Sequence, residues 1–361
     1  MIYLVELNFK SGVHFGSDNA GYGIEQVQGF AHSDTIFSSI INVLSPTRHE
    51  FQYLEWVRDF FDNSKSNLII PFKVSSFGFV DTSQGNHKYY VPKPLIQPNI
   101  KINDLKRTDK IKELKQRQFI SLEIFQKWQV DELIDLESIV NDEKEIADFW
   151  IEETKVQHLT DNETTATQIY HSGMVYYHDL IKPFFLIELD EERFPFNDFK
   201  EILKAAQYFG LGGRRTTGSG IFEFTEDSWF PIIEGSIEDI RKINPSFNSQ
   251  KNYARIRFTE LFKAEEPSSY YLFSTLFPQK INEANCVAYD LIPRKGWFFS
   301  TSSDAQLKRK SCFMFSEGSV FKNKIDGKLV DVTPEEFKEH KIYRYGIPFY
   351  IPYREIKNGS Y

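Results

Sequence analysis

One short stretch, Phe209 to Phe222, constrains the fold of this chain more than any other. It reads FGLGGRRTTGSGIF and contains five glycines, two adjacent arginines and three hydroxyl residues. The residues before it, Asn197 to Phe209, place apolar side chains on one helical face, and the following IFEFTE is typical of a strand. Gly210–Gly220, which we call the glycine loop, is therefore predicted to join a helix to a strand.

The glycine loop does not fit the phosphate-binding motifs of nucleotide enzymes. A dinucleotide-binding fingerprint runs from strand through glycine turn to helix, so that the helix N-terminus faces the pyrophosphate. Here the helix comes first, and Arg215 stands where the third glycine is required. A P-loop requires a lysine at the position that Ser219 occupies. Both nucleotide interpretations therefore fail on residue order and identity.

The composition of the glycine loop favours a phosphate backbone as its ligand. A simple turn needs only one or two glycines. Successive backbone N–H groups can form an anion-binding nest, and arginine adds forked donors that match phosphate. Phosphate contacts of this kind position a polynucleotide without reading its sequence. We expect the loop to be part of a nucleic-acid site.

The net charge of −8 would argue against a nucleic-acid partner if it were spread evenly. It is not, because Asp131–Glu153 holds ten acidic residues against one lysine and accounts for the whole imbalance. Asp131–Phe149 is predicted to be an acidic, solvated or partner-facing helix. Lys101–Arg117 and Arg294–Lys310 are basic, with seven basic against three acidic residues and five against one. Such runs are usually solvated faces.

The remaining chain predicts an α+β protein with helices on one face of its sheets. Periodicity indicates a strand over 1–10, a helix beginning at Ser33 or Asp34, a helix over 49–61, strands over 68–80 and 88–92, and a long hairpin over 155–184. A composition break over 233–250 is the predicted domain boundary. The second half is strand-rich, and YARIRFTELF, residues 253–262, alternates and is predicted to be a strand.

The sequence gives little sign of a cofactor or of secretion. Two cysteines cannot form a zinc quartet or a disulfide framework, and no His-Glu-x-x-His, Cys-x-x-Cys or adjacent-aspartate motif occurs. We expect no metal and no cofactor. The N-terminus lacks a signal-peptide pattern, and no apolar run approaches the ~18 residues of a membrane span. We therefore expect a cytoplasmic protein without a membrane partner.

Three stretches resemble a known family. A glycine-rich loop after a helix and before the last strand of a ferredoxin-like unit is the hallmark of the RAMP superfamily of CRISPR proteins. GFAHSDTIFSSI (Gly29–Ile40) and YYVPKPLIQP (Tyr89–Pro98) are similar to the fourth subunit of the type III-A (Csm) interference complex, and the terminal YRYGIPFYIP also fits. The resemblance covers most of the chain; the acidic segment departs from it.

The resemblance implies two RRM-like (ferredoxin-like) domains, here over 1–235 and 236–361, with a thumb-like hairpin inserted at about 152–186. It implies a prokaryotic CRISPR RNA-binding subunit that holds the repeat-derived 5′ tag. Its expected partners are the CRISPR RNA, the large palm-domain subunit, the first backbone subunit and, through the hairpin, target RNA near the tag.

The candidate RNA-binding residues follow from the loop, the family-like stretches, the hairpin tip and two arginines of the second half. They are His14, His32, Ser33, Asp34, Lys88, Tyr89, Tyr90, Thr164, Thr165, Thr167, Gly212, Gly213, Arg214, Arg215, Thr216, Thr217, Gly218, Ser219, Gly220, Arg255 and Arg257. The tyrosines are candidates for base stacking, although strand tyrosines usually pack inside.

The alternative is an endoribonuclease that processes precursor CRISPR RNA. Metal-free RNA cleavage requires a group such as His32 or His14 within hydrogen-bond reach of the 2′-OH or leaving oxygen. No second histidine or lysine is paired with His32 in sequence. The sequence therefore favours a non-catalytic, RNA-binding assembly subunit.

Overall fold

The computed structural model describes residues 1–16, 24–62, 68–83, 85, 87–100, 108–137, 146–160, 167–263, 267–280, 286–298, 300 and 307–353. The helices are α1 (Ser33–Thr47), α2 (Glu55–Phe61), α3 (Thr108–Gln116), α4 (Leu122–Gln129), α5 (Phe196–Phe209), α6 (Ile237–Ile243) and α7 (Asn252–Phe262). The first strands are β1 (Ile2–Glu6), β2 (Asn8–Phe9), β3 (Ile24–Glu25), β4 (Phe72–Val74), β5 (Gly78–Asp81), β6 (Lys88–Pro92), β7 (Phe119–Ser121), β8 (Trp150–Thr160), β9 (Thr167–Tyr177), β10 (Ile181–Leu189), β11 (Phe222–Glu223) and β12 (Trp229–Pro231). The later strands are β13 (Ser269–Leu272), β14 (Cys286–Ala288), β15 (Leu291–Arg294), β16 (Trp297–Phe298), β17 (Leu307–Lys308), β18 (Cys312–Phe315), β19 (Val320–Phe321), β20 (Lys328–Asp331), β21 (Tyr343–Gly346) and β22 (Tyr350–Tyr353).

A large antiparallel sheet organises the first half of the chain. Its strand order is β12-β1-β10-β5-β6-β7, and β4 also pairs with β10. Residues of β1 alternate between its two faces, so Val5 joins the core formed with α1 and α5 while Leu4 joins a second core on the other side. Both faces of the sheet are therefore buried, which explains why β1 reads as almost continuously apolar.

The second half supplies the cover for that second face. Its main sheet has the order β14-β19-β13-β22, and α7 packs against β22. Phe258 and Leu261 of α7 and Tyr271 of β13 lie in the same core as Leu4. The two halves on either side of the predicted boundary at 235/236 thus share one hydrophobic layer, and the division into two RRM-like domains stays a prediction.

A long hairpin stands apart from the large sheet. Strands β8 and β9 pair antiparallel from Trp150↔Tyr177 to Thr160↔Thr167, and β3 adds a short parallel edge. The predicted hairpin over 155–184 is therefore present but shifted, because the chain after Tyr177 already enters the large sheet as β10. Thr164 and Thr165, expected at its tip, lie outside the described residues.

Most predicted elements are confirmed, and the corrections concern residues 253–262, residues 49–61 and the acidic segment. Residues 253–262 were predicted as a strand but form α7, because Ala254, Phe258 and Leu261 are buried at helical spacing while Ile256 is exposed. The helix predicted over 49–61 is shorter, since only α2 is helical.

The acidic segment is only partly visible. Residues 138–145 lie outside the described residues. In the described part the helix predicted over 131–149 is not continuous, because residues 131–135 are not helical, with a positive φ of 56° at Asp131, and Ile146–Asp148 form a short 3-10 turn. Among the helices of the described ranges, none is long and apolar enough to cross a membrane.

Candidate nucleic-acid interface

The glycine loop is closed at its base by its own backbone. Helix α5 ends at Gly210, and the Leu211 N–H donates to the Gly220 carbonyl at 2.9 Å. Gly220 has a φ of +77°, and a Cβ built there would lie 2.1 Å from the Leu211 oxygen. Only glycine fits this position, because a side chain would both strain the backbone and collide with the other end of the loop.

At its tip the loop alternates between backbone conformations of opposite hand. Arg214 and Gly218 are left-handed, with φ of 56° and 84°, and they flank a short 3-10 turn over Arg215–Thr217. Left-handed backbone is uncommon for a residue other than glycine, and such conformations cluster at functional sites. Alternation of this kind produces concave arrays of N–H groups that bind anions.

The loop is fastened to the segment that follows β2. Gly213 donates its N–H to the His14 carbonyl at 2.8 Å, and Gly220 donates to the Gly12 carbonyl at 2.9 Å. The Ile221 N–H donates to the Ser11 hydroxyl at 3.0 Å. These bonds hold the loop to residues more than 190 positions earlier in the chain.

The same segment is joined to the hairpin. Val13 and Val175 exchange backbone hydrogen bonds of 2.8 and 2.9 Å. The His14 Nδ1 lies 2.8 Å from the Gly173 carbonyl, so this nitrogen carries a proton and donates, because a carbonyl only accepts. Residues 11–14, the glycine loop and β9 therefore form one fixed unit.

An open pocket of about 290 Å³ lies between the loop and the hairpin. Its lining is polar and carries cations from both sides. The lining residues are Ser11, Gly12, Lys155, Ser172, Met174, Tyr176, Arg214, Thr217, Gly218 and Ser219.

The cations of this pocket remain charged at neutral pH. Lys155 donates to the Tyr176 hydroxyl at 2.5 Å, and this bond raises the pKa of the ammonium group. The neighbouring Arg215 does not line the pocket; burial lowers the pKa of its guanidinium, but arginine is not deprotonated in proteins. The arrangement can therefore bind an anion through cations and hydroxyls, whereas the N–H groups of residues 211, 213 and 217–220 already donate within the loop or to residues 12 and 14.

The segment His32–Asp34, also predicted to contact RNA, is buried instead. His32 is 4% exposed, and its Nδ1 lies 2.8 Å from a Glu317 carboxylate oxygen. The Ser33 hydroxyl lies 2.9 Å from that of Thr275. The side chains do not cap α1, for which His32 is the N-cap residue without a side-chain cap bond. They join the two halves of the chain, so the prediction of RNA contact does not fit this structure.

Asp34 completes this junction with two arginines from the second half. Arg294 donates to both carboxylate oxygens at 2.9 to 3.1 Å, and Arg344 donates to Oδ2. Burial by itself would raise the pKa of Asp34, but the charges of Arg294 and Arg344 outweigh it and lower that pKa. Glu317 behaves likewise: burial opposes ionisation, and His32 and Ser76 lower its pKa. We call His32, Ser33, Asp34 and their partners the buried polar junction.

The two candidate stacking tyrosines are also internal. Tyr89 and Tyr90 are each 1% exposed. Tyr89 donates to Glu6 at 2.5 Å, and Glu6 pairs with the buried Lys251 at 2.8 Å. Neither ring can stack on a base in this conformation, because both faces are enclosed by the core.

The two arginines of the second half differ from each other. Arg255 is 2% exposed and donates to the carbonyls of Ile233 and Gly235, so it fixes the chain before α6 rather than facing solvent. Arg257 is partly exposed but donates to Gln126 and lies 4.9 Å from the Tyr253 ring. The alternating pattern of residues 253–262 suggested that both arginines face outward. Because this segment is a helix, Arg255 instead faces the interior.

The structure thus brings together only part of the predicted set. His14 and the loop residues Gly212–Gly220 meet in one place, with Thr216 exposed at the loop surface. Lys88 lies on β6 above the Tyr90 ring, away from the pocket-lining residues. Thr167 pairs with Thr160 at the hairpin's far described end.

Sequence reasoning missed the hairpin's contribution to the pocket. Ser172, Met174 and Tyr176 line it together, and Lys155 lies directly opposite Ser172 in the ladder. The sequence could have indicated that these three residues act together, because the two-residue period of a strand places them on one face. What the sequence did not show is which strand face meets the loop.

Comparison with known proteins agrees with this architecture. Residues 265–353 match the family model of the CRISPR Csm4 C-terminal domain. The curated "CRISPR system Cms protein Csm4" of Methanocaldococcus jannaschii is 22% identical over 97% of this chain and 96% of its own length. The protein of the same name from Streptococcus thermophilus is 23% identical over 42% of this chain and 43% of its own length.

Two solved structures share the fold along nearly the whole chain. A chain of a Csm1-Csm4 cassette in complex with cA4 superposes with a TM-score of 0.56 at 17% identity, covering 99% of both chains. A chain of a Csm3-Csm4 subcomplex from a type III-A CRISPR-Cas interference complex gives a TM-score of 0.52 at 17% identity, covering 98% of this chain and 99% of that one.

The chain therefore shares the fold of a subunit of these two solved complexes. Its residues 265–353 match the Csm4 C-terminal domain, and its sequence is similar along nearly the whole chain to a curated Csm4 protein.

Proposed function

We propose that this chain is the CRISPR RNA-binding subunit of a type III-A Csm complex and that the pocket between glycine loop and hairpin holds the repeat-derived 5′ tag. The observation that carries the proposal is the pocket itself, where Arg214 and Lys155 face one space from two different elements. A polyanion fits this arrangement, whereas the buried polar junction offers it no access.

The proposed binding mode is phosphate capture with limited sequence readout. The glycine loop supplies forked guanidinium donors, and Thr217 and Ser219 add neutral polar groups. Because backbone contacts carry no sequence information, discrimination of the tag has to come from base contacts elsewhere.

We further propose that the chain connects the large palm-domain subunit with the backbone subunits. One chain of a solved Csm1-Csm4 complex and one chain of a solved Csm3-Csm4 complex share its fold. In this role the hairpin, whose base is fixed to residues 13–14, would contact the guide–target duplex near the tag. The chain's contribution is assembly and binding rather than cleavage.

Removal of the loop arginines tests the proposal. The double variant Arg214→Ala with Arg215→Ala should weaken binding of single-stranded tag RNA and flatten its salt dependence, with the slope falling by up to about 1.4, or ~0.7 per lost phosphate contact. The matched control is Arg48→Ala with Arg58→Ala, which removes the same charge from exposed positions of the α1–α2 region. Equal affinities and slopes for both double variants would overturn the proposed site.

The structure does not favour the alternative function of an RNA-processing nuclease, because His32, its main candidate catalytic residue, is not accessible. His32 is buried and bonded to Glu317, so it does not reach an RNA 2′-OH in this structure. Incubation of the purified chain with repeat RNA in EDTA tests this reading. Specific cleavage that disappears in His32→Ala or His14→Ala would establish the enzyme instead.

A further inference from the structure

An exposed aromatic pair precedes the glycine loop. Tyr208 is 77% exposed and Phe209 is 41% exposed, both in the last turn of α5. The buried face of this helix is formed by residues such as Phe199 and Ile202, and Tyr208 instead follows the exposed Lys204 by one turn. Core packing therefore does not account for the Tyr208 ring.

The position of Tyr208 relates it to the loop. Only Phe209 lies between it and Gly210, so the Cα atoms of Tyr208 and Gly210 lie within about 7 Å of each other. Gly210 itself packs against the far end of the loop, since a Cβ built on it would lie 2.6 Å from the Ser219 carbonyl oxygen. Tyr208 thus lies at the base of the loop whose tip carries Arg214, and its ring is exposed there.

We propose that Tyr208, flanked by Phe209, is a base-stacking platform for the nucleotide next to the phosphate held by the glycine loop. This inference rests on the proposed function and specifies how the same site takes a base. Aromatic rings stack on every base type, and alternation of ring and cation is the usual composition of single-strand binding sites.

The surroundings favour RNA over a protein partner. One turn before Tyr208 on this helix lies the half-exposed Lys204, which is ion-paired with Glu201, and the loop that follows is glycine-rich and cationic. A protein-docking surface on a soluble chain is typically a contiguous apolar patch of several hundred Å², on the order of 300 to 600 Å². A ring pair bordered by charges and glycines suits a flat base better.

Site-specific fluorescence tests the platform in the full-length chain. The probe is single-stranded RNA of the host's repeat-derived tag sequence, with 2-aminopurine at one position at a time. Tyr208→Ala should weaken binding about 5- to 150-fold and remove the quenching of one position, with an unchanged salt slope. Tyr208→Phe should retain affinity, because stacking needs only the ring. The control is Tyr53→Ala, which removes a 64% exposed tyrosine outside the glycine loop.

The outcomes separate this inference from the function it rests on. Wild-type binding by Tyr208→Ala, with weakened binding by the Arg214/Arg215 double variant, would overturn the platform and leave the phosphate site standing. Normal RNA binding with lost co-purification of another subunit would make Tyr208 a protein contact and also overturn it. Lost quenching and affinity in Tyr208→Ala, with no effect of the arginine variants, would support the platform while refuting the loop's phosphate role.

Discussion

The glycine loop and the buried polar junction contain similar kinds of residues but differ in solvent exposure, because the junction is buried and the loop borders an open pocket. Each combines charged and hydroxyl side chains next to a helix end. In the junction, Asp34 and His32 meet partners 260 to 310 and 285 residues away, which neutralise them and exclude water. In the loop, backbone donors bond to carbonyls of the loop itself and of residues 12 and 14, while the Arg214 side chain borders an open pocket. Residue type therefore indicates a polar site, but distant partners decide whether it binds a ligand or holds the fold.

Removal of the junction's central carboxylate should have the largest effect on stability. Asp34→Asn leaves two buried arginines with a neutral partner, and breaking one side of a buried ion pair costs about 3–5 kcal/mol. Urea denaturation should show this loss, with Asp326→Asn as the control at an exposed aspartate. If the two variants were equally stable, the junction would not hold the halves together.

The junction should also make stability depend on acid pH. The pKa values of Asp34 and Glu317 are lowered in the folded state, so their contribution is present above the unfolded carboxyl pKa of about 4. It is lost as pH falls through that range towards their folded pKa values. Urea midpoints between pH 3 and 7 should fall on acidification in the native chain and less steeply in Asp34→Asn. Parallel curves would show that other carboxylates dominate.

Within the glycine loop, two glycines should respond differently to the same substitution. Gly220→Ala introduces both a left-handed strain and a contact of 2.1 Å with backbone, so the loop has to open and RNA affinity should fall strongly. Gly218→Ala meets nothing within 4 Å and should cost only the strain of about 1–2 kcal/mol. Affinity for tag RNA and urea stability measured together test the difference. Similar losses in both variants would mean that the loop's closure at Gly220 is unimportant.

Tyr89→Phe sharpens the contrast between interior and exposed tyrosines. It removes the hydroxyl bonded to Glu6 and should cost about 1–3 kcal/mol, because a buried carboxylate oxygen loses its donor. RNA affinity should not change. Tyr208→Phe serves as the exposed control and should leave stability as it is. A loss of RNA binding without a loss of stability in Tyr89→Phe would restore Tyr89 as an RNA contact.

The smallest expected effect comes from the hairpin side of the pocket. Lys155→Ala should lower the salt slope of RNA binding by about 0.7, as expected for one phosphate contact to a single strand. Lys73→Ala, which removes another exposed, ion-paired strand lysine, is the control. Identical binding by both variants would place the RNA on the loop alone.

The sequence by itself determined the local elements and the character of the glycine loop. Periodicity was enough for β1, α5 and the strands around β5 and β6, since each buries a regularly spaced face. The prediction was wrong at 253–262, where two patterns overlap. Ala254, Ile256 and Phe258 fit the two-residue period of a strand, and Ala254, Phe258 and Leu261 fit a helical period. Only the packing of α7 against the sheet distinguishes the two patterns, because Ala254, Phe258 and Leu261 are the residues buried there.

The tertiary structure alone decided which polar residues face solvent. His32, Asp34 and Tyr89 each carry groups suited to RNA, yet each is matched to a buried partner. Those partners come from segments remote in sequence, and desolvation makes such pairs nearly obligatory once the core closes. The stretch from Phe209 to Phe222 kept its predicted place between helix and strand, but its pocket exists only because β9 of the hairpin lies against it.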